Sequence, residues 1–128
     1  MPMTAIEVIS VPVSDQQRAK RWYTEQLGFQ LIRDEPLGPD ARWVQVGPQG
    51  DTGTSLALVT WFPTMAPGSL KGTVIGAADL EATIGELKGR GVRIEGEIEE
   101  ASWGRFVTFE DPDGNGFVLQ SSRRSPPR

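Results

Sequence analysis

The stretch GRFVTFEDPDGNGFVLQ, residues 104–120, decides the fold of this chain. Residues 105–110 alternate between two faces and are rich in aromatic and β-branched side chains, a pattern typical of a strand. The sequence Asp-Pro-Asp-Gly-Asn at 111–115 then supplies the proline, glycine and short polar side chains that tight turns require. A second strand, Gly116 to Gln120, completes a predicted β-hairpin at the end of the fold.

Composition narrows the possible functions. The 128 residues include no cysteine and no histidine, and the net charge is −4. Without cysteine there are no disulfides or thiolate metal sites, and without histidine the commonest transition-metal ligand and general base are missing. The acidic balance predicts no nucleic-acid partner. No apolar run approaches the ~20 residues of a membrane helix, so we expect a cytoplasmic protein with no membrane segment.

The first half of the chain, about 5–61, opens with a strand from Ala5 to Val13. Its alternation predicts a core face of odd-numbered apolar residues and an opposite face that carries Val8 and Ser10. A helix and three further strands follow.

The first helix is predicted to begin after a capping residue, Ser14 or Asp15, and to run to about Gln26. Trp22 and Tyr23 lie on its apolar stripe. We therefore expect both to be core residues with no part in chemistry.

The second half, about 70–120, follows a linker at 62–69 and repeats this order of elements. Asp79 caps a helix as Asp15 does, and Gly91 ends it as Gly28 ends the first. The acidic residues 95–100 are expected to form an exposed loop or a sheet edge, and 121–128 a loose tail.

The repeat predicts a single α+β domain over residues 1–128. Each half is a βαβββ module, and the two modules would form an eight-stranded curved mixed sheet with the helices outside. Such a sheet leaves a concave cleft, the usual place for a small ligand.

Four stretches in this order resemble one known family: VPVSD (11–15), RWYTEQLGF (21–29), AADLEATIGELKGRGV (77–92) and WGRFVTFEDPDGNGFVLQ (103–120). The chain is similar over residues 5–120 to the glyoxalase, bleomycin-resistance and extradiol-dioxygenase superfamily, whose members are also called vicinal oxygen chelate proteins. The resemblance implies the two-module fold, but a fold does not fix an activity.

Enzymes of this superfamily hold a divalent metal with His or Glu side chains that point into the cleft. The resemblance places the corresponding positions at Val8, Gly72 and Val118, none of which can bind a metal. Glu7 adjoins Val8, but one step along a strand reverses the face, so a solvent-facing charge is the favoured interpretation. We therefore expect no metal and no cofactor.

Metal-free members of the superfamily are known chiefly as drug-binding resistance proteins. The resemblance thus implies a binding protein that sequesters an aromatic or hydrophobic compound, and a homodimer as its assembly. Two alternatives stay open: a metal-independent enzyme of the lyase, isomerase or dioxygenase-like type that acts on a small organic metabolite, and a regulatory or scaffolding protein. The enzyme would need a buried carboxylate, such as Glu110, with a raised pKa. The sequence favours binding over catalysis and does not identify the ligand.

The candidate ligand-binding residues are aromatic or polar side chains at strand ends and residues on the predicted cleft face. They are Val8, Ser10, Trp43, Gln45, Trp61, Phe62, Trp103, Arg105, Val118 and Gln120. Aromatic faces stack on planar ligands, although core or dimer packing is the favoured interpretation of each tryptophan taken alone. Ser10 and Gln120 are the expected polar anchors and Gln45 a third, while Arg105 would pair with an acidic or phenolic group of a ligand.

Overall fold

The computed structural model describes residues 2–50 and 53–122. The strands in this part of the chain are β1 (Val8–Pro12), β2 (Gln30–Pro36), β3 (Arg42–Gly47), β4 (Ser55–Val59), β5 (Thr73–Gly76), β6 (Ile94–Ala101), β7 (Gly104–Glu110) and β8 (Gly116–Ser122). The helices are α1 (Gln16–Arg21), which continues as a π-helical turn (Trp22–Gln26), and α2 (Leu80–Gly89).

The strands form two four-stranded sheets, one from each predicted module. Their orders are β1-β4-β3-β2 and β5-β8-β7-β6. In each sheet the first strand of the module runs parallel to the last, and the other neighbours are antiparallel. The predicted α+β fold of two βαβββ modules is confirmed. Each sheet is formed by the four strands of one module.

The predicted helix signals are also confirmed. The Asp15 carboxylate accepts a hydrogen bond from the backbone N–H of Arg18 at 3.0 Å, so Asp15 rather than Ser14 caps α1. Asp79 caps α2 in the same way through the N–H of Ala82 at 3.0 Å. Gly91 follows α2 with φ +91°, a left-handed conformation that glycine adopts without strain.

The first helix widens where it meets the core. The N–H of Leu27 donates to the carbonyl of Trp22 at 2.9 Å, which is the i to i+5 spacing of a π-helix. Trp22 and Tyr23 are adjacent in sequence, yet both are buried. The prediction that they belong to the core is confirmed.

Asp34, on the edge strand β2, binds Lys20 of α1 and Arg42 of the neighbouring strand β3. Lys20 Nζ lies 2.7 Å from Asp34 Oδ2, and Arg42 Nη2 lies 2.5 Å from Asp34 Oδ1. Hydrogen bonds from these two cations hold the pKa of Asp34 below its ordinary value.

Side-chain burial separates the two faces of each sheet. In β8, Phe117 and Leu119 are 1% and 2% exposed and pack with the helices, whereas Val118 and Gln120 are only partly buried. In β1, Val11 is fully buried and Ile9 packs against the core, whereas Val8 and Ser10, of the opposite parity, are partly buried. We call the face of each sheet that is turned away from the helices its open face.

The predicted hairpin consists of β7 and β8, and hydrogen bonds to a buried carboxylate of the turn itself hold the turn in place. The Asp111 carboxylate is buried and accepts hydrogen bonds from the N–H groups of Asp113 and Asn115, both at 2.9 Å. The side-chain amide of Asn115 donates to the carbonyl of Pro12 at 2.8 Å, which ties the turn to β1.

The acidic stretch 95–100 is part of β6, the edge strand of the second sheet. Its glutamates are exposed, while Ile94 and Ile98 pack against the core. Of the two predicted outcomes, the sheet edge is correct and the loop is wrong. The last strand extends to Ser122, and the rest of the predicted tail, 123–128, lies outside the described residues. Within the described ranges, no helix has the length and apolar character needed to cross a membrane.

Candidate ligand-binding site

Three aromatic rings form a cluster at one end of the first sheet, and two of them are stacked. The ring centroids of Trp43, on β3, and Trp61, just after β4, are 6.5 Å apart with an interplanar angle of 30°. The ring of Phe62 adjoins Trp61 at 6.1 Å with a tilt of 46°, and Phe62 is 44% exposed. The structure therefore brings together three residues predicted from separate parts of the sequence, with aromatic surface open to solvent at the Phe62 end.

Gln45 lies two residues from Trp43 on the same face of β3, and both groups of its side-chain amide are bonded. Its Oε1 accepts a hydrogen bond from Trp43 Nε1 at 2.9 Å, and its Nε2 donates to Ser55 Oγ at 2.7 Å. Ser55 is 4% exposed and was not predicted as a site residue. Its position directly across the ladder from Val8 could not be read from local sequence.

Val8 and Ser10 lie beside these residues. Across the parallel ladder Val8 pairs with Ser55 and Ser10 pairs with Ala57, and Ala57 pairs in turn with Gln45. Val8 and Ser10 are partly buried. They share the open face of the first sheet with Gln45, opposite the face on which Val11 packs with the helices.

A second aromatic pair lies on the second sheet. The rings of Trp103 and Phe106 stack with their centroids 5.4 Å apart at 18°, and Trp103 is 48% exposed. Phe106 belongs to the open face because its neighbour Val107 is buried in the core. Phe106 was missed as a site residue, although its alternation with Val107 contained the signal.

The open face of the second sheet continues beside Phe106. Val118 pairs with Val74 on one side and Thr108 on the other, and Gln120 pairs with Phe106. Val74 is 53% exposed, so this surface presents an apolar side chain to solvent. Val74 was also missed, although it lies two residues from Gly72, which the resemblance places at the cleft.

Arg105 lies on the other face of β7, with the core residues Val107 and Phe109. Its guanidinium forms an ion pair with Glu81 on α2. The hydrogen bond to Glu81 raises the pKa of Arg105 and lowers the pKa of Glu81. This placement corrects the expectation that Arg105 faces a ligand, because one step along a strand reverses the side-chain direction.

The predicted residues thus fall into two groups and one outlier. The first sheet carries Val8, Ser10, Trp43 and Gln45, joined by Trp61 and Phe62 from the segment after β4. The second sheet carries Trp103, Val118 and Gln120. Arg105 lies on the helix side.

The three positions where the resemblance expects metal ligands carry no side-chain donor atom. Val8 and Val118 lie on open faces with aliphatic side chains. Gly72 is exposed at φ +83°, and its backbone N–H donates to Gly116 at 3.1 Å. None of the three supplies a side-chain oxygen, nitrogen or sulfur. These residues do not fit a divalent metal. Glu7, the neighbour of Val8, is exposed, in agreement with its interpretation as a surface charge.

The carboxylate considered for catalysis is accessible to water. Glu110 is exposed at the end of β7, and its Oε2 lies 3.7 Å from Nζ of Lys71, which is also exposed. The burial that the enzyme alternative requires is not found at this residue.

Sequence comparison identifies a family. The pattern of the Glyoxalase/Bleomycin resistance protein/Dioxygenase superfamily matches residues 5–119. The protein YetH of Bacillus subtilis (strain 168) is 38% identical over 118 residues, which is 90% of this chain and 96% of YetH.

Solved structures give similar folds. TnmS3, an antibiotic binding protein from Streptomyces sp. CB03234, is 46% identical, with a TM-score of 0.88 over 96% of this chain and 99% of TnmS3. A member of the same superfamily from Sphaerobacter thermophilus DSM 20745 is 32% identical, with a TM-score of 0.84 over 93% of this chain and 98% of that one.

Proposed function

This chain belongs to the glyoxalase/bleomycin resistance protein/dioxygenase superfamily, and we propose that it is a metal-independent binding protein that sequesters a planar aromatic or hydrophobic small molecule. The observation that carries the proposal is the pair of aromatic stacks, Trp43 with Trp61 and Trp103 with Phe106, the first of them extended by the tilted ring of Phe62. Stacked rings with an exposed face provide the surface that a planar ligand requires.

The residues around the stacks support the same ligand class. Val8, Val74 and Val118 supply aliphatic surface, and Ser10 and Gln120 add neutral hydrogen-bonding groups on the same open faces. A mainly apolar site with a few polar groups is the usual composition of small-molecule sites. An antibiotic is the proposed kind of ligand, in line with the 46% identity to the antibiotic binding protein TnmS3.

Independence from a metal rests on donor chemistry. A superfamily metal would need ligands where this chain has Val8, Gly72 and Val118, and those residues provide none. Elemental analysis of protein purified without chelator should find no stoichiometric transition metal. Near-stoichiometric zinc, iron, nickel or manganese bound at the open faces would contradict this part of the proposal.

We also propose a homodimer with two equivalent sites. The strands β2 and β6 lie at sheet edges, and Leu31 and Ile32 on β2 are 45% and 41% exposed. Subunit pairing covers such edges, and closed two-fold dimers are the commonest soluble oligomers. Sedimentation at micromolar concentration should give a dimer, and a monomer alone would refute it.

Binding is favoured over catalysis because Glu110 is exposed. A thermal-shift screen against aromatic antibiotics and metabolites tests the proposal: at least one compound should raise Tm, and no response across the panel would contradict it. Each hit is then incubated with the protein and recovered. Unchanged compound supports sequestration, whereas turnover would favour the enzyme alternative.

A further inference from the structure

We propose that Gln45 and Ser55 are positioning residues: they hold the indole of Trp43 in its stack with Trp61 and so fix the aromatic wall against which a ligand packs. The effect on the ligand rests on the proposed function. The restraint on Trp43 does not, since it follows from hydrogen bonds within the chain.

The restraint is a continuous series of hydrogen bonds that ends on the backbone. Trp43 Nε1 donates to Gln45 Oε1 at 2.9 Å, Gln45 Nε2 donates to Ser55 Oγ at 2.7 Å, and Ser55 Oγ donates to the carbonyl of Glu7 at 3.2 Å. That carbonyl also accepts the backbone N–H of Ser55 at 2.9 Å. The series is therefore attached where β4 meets the segment that enters β1.

The direction of each bond is set by chemistry. An indole N–H can only donate, so the amide oxygen of Gln45 must face Trp43, and its NH₂ group must then face Ser55. A hydroxyl can accept and donate at the same time, so Ser55 Oγ accepts from Gln45 and donates to the carbonyl of Glu7. Reversing the Gln45 amide would place two donors against each other.

This arrangement changes the role expected for Gln45. The sequence suggested a polar anchor that contacts the ligand directly, whereas its two amide groups are directed at Trp43 and Ser55. Trp43 likewise uses its N–H within the protein. The stack presents the faces of its aromatic rings to a ligand. We therefore infer that the ligand is recognised at this wall by stacking and needs no acceptor for the indole N–H.

The test observes the Trp43 indole directly by nuclear magnetic resonance. The four tryptophans give separate indole N–H signals, and Trp43→Phe identifies the one of interest. Gln45→Met removes both amide groups at nearly constant size, and Gln45→Glu keeps an acceptor for the indole. Ser55→Ala breaks the series one step further on, and Gln49→Met is the matched control, because Gln49 is exposed and its amide donates to the carbonyl of Gly28.

In Gln45→Met the Trp43 signal should move upfield and exchange with solvent about tenfold faster, the ratio that corresponds to one lost hydrogen bond. Ser55→Ala should change it in the same direction by less. Gln45→Glu should restore the wild-type position, and Gln49→Met should change nothing. The signals of Trp22 and Trp103 should stay in place, which shows that the fold is intact.

Flavone, a neutral planar aromatic, is the binding probe. Its affinity should fall several-fold in Gln45→Met and recover in Gln45→Glu. Unchanged Trp43 exchange in both Gln45→Met and Ser55→Ala would overturn the inference, as would a loss of affinity that Gln45→Glu fails to restore. If flavone and the antibiotic panel all fail to bind the wild-type protein, the proposed function falls, and the resonance of Trp43 still decides whether the indole is held.

Discussion

The hydroxyl of Tyr23 donates a 2.6 Å hydrogen bond to Oδ2 of Asp111, 88 residues away in sequence. Tyr23 comes from the π-helical turn of the first module and Asp111 from the hairpin turn of the second, and both are buried. Burial, together with the charge of Asp111 and the hydrogen bond to it, raises the pKa of Tyr23 far above its ordinary value, so the phenol remains a donor. This bond connects the two modules and holds the β7–β8 turn in place.

Replacing Tyr23 with Phe should destabilise the protein by about 1–3 kcal/mol, because the buried Asp111 carboxylate loses a hydrogen-bond donor. Urea unfolding measures the change. Ser14→Ala is the control, since it removes an exposed 2.6 Å hydrogen bond to Asp113 in the same turn. It should cost less than about 1 kcal/mol. Equal stability of Tyr23→Phe and wild type would show that the bond does not connect the modules energetically.

Asp34 should give the stability of the protein a pH dependence on the acidic side. Its folded pKa lies below the unfolded value of about 3.9, so its contribution is complete above that value and is lost as pH falls through the folded pKa. Asp34→Asn should therefore be less stable than wild type at neutral pH by about 0.5–1 kcal/mol, a figure reduced by solvent screening, and the difference should shrink as pH falls below about 3.9.

Urea titrations at a series of pH values measure this difference. Asp40→Asn, at an exposed turn position, serves as the control and should follow the wild-type curve. A difference between wild type and Asp34→Asn that is constant with pH would refute the assignment.

Trp61→Ala and Trp103→Ala should weaken the binding of an aromatic hit from the screen by about three- to tenfold each, the factor expected for a lost ring stack. Titration calorimetry gives the affinities. Tm should fall little for Trp103→Ala, because the side chain is 48% exposed.

Two controls accompany the tryptophan variants. Trp22→Ala removes a buried core ring and should lower Tm strongly. Arg105→Ala should leave affinity unchanged because Arg105 lies on the helix side with Glu81. A large loss of affinity in Arg105→Ala, with none in the tryptophan variants, would show that the ligand binds on the helix side of the sheet instead.

Val118→Glu should abolish or sharply weaken ligand binding while the protein still folds. The new carboxylate would lie beside Val74 and Thr108 on the open face, where contact with an apolar ligand would desolvate it without a partner. Leu119→Glu is the matched variant, one residue along and 2% exposed, and should unfold the protein instead. Calorimetry and melting curves separate the two effects. Severe unfolding by Val118→Glu would contradict the assignment of the faces.

Local chemistry was enough to predict the hairpin, the helix caps and the module repeat. Asp15, Asp79 and Gly91 each act through neighbours a few residues away, so the sequence around them determines their conformation. The acidic residues of β6 show the limit of this approach. Their composition suits a loop as well as an edge, and pairing with β7 decides in favour of a strand.

The site was predicted less completely because its geometry depends on distant partners. Arg105 looked available for a ligand until Glu81, 24 residues earlier, was seen to bind it. Gln45 looked like a free polar anchor until its contact with Ser55, across the β3–β4 pairing, was known. Side-chain type and strand parity were readable from the sequence, whereas the ion pair and the hydrogen-bond series required tertiary structure.

The most direct test of metal-independent sequestration is titration calorimetry of the wild-type protein with the strongest hit of the antibiotic panel, with and without a metal chelator. The account predicts saturable binding of the same affinity in both conditions and recovery of the compound unchanged. Binding that disappears with chelator, or a compound recovered as product, would contradict it.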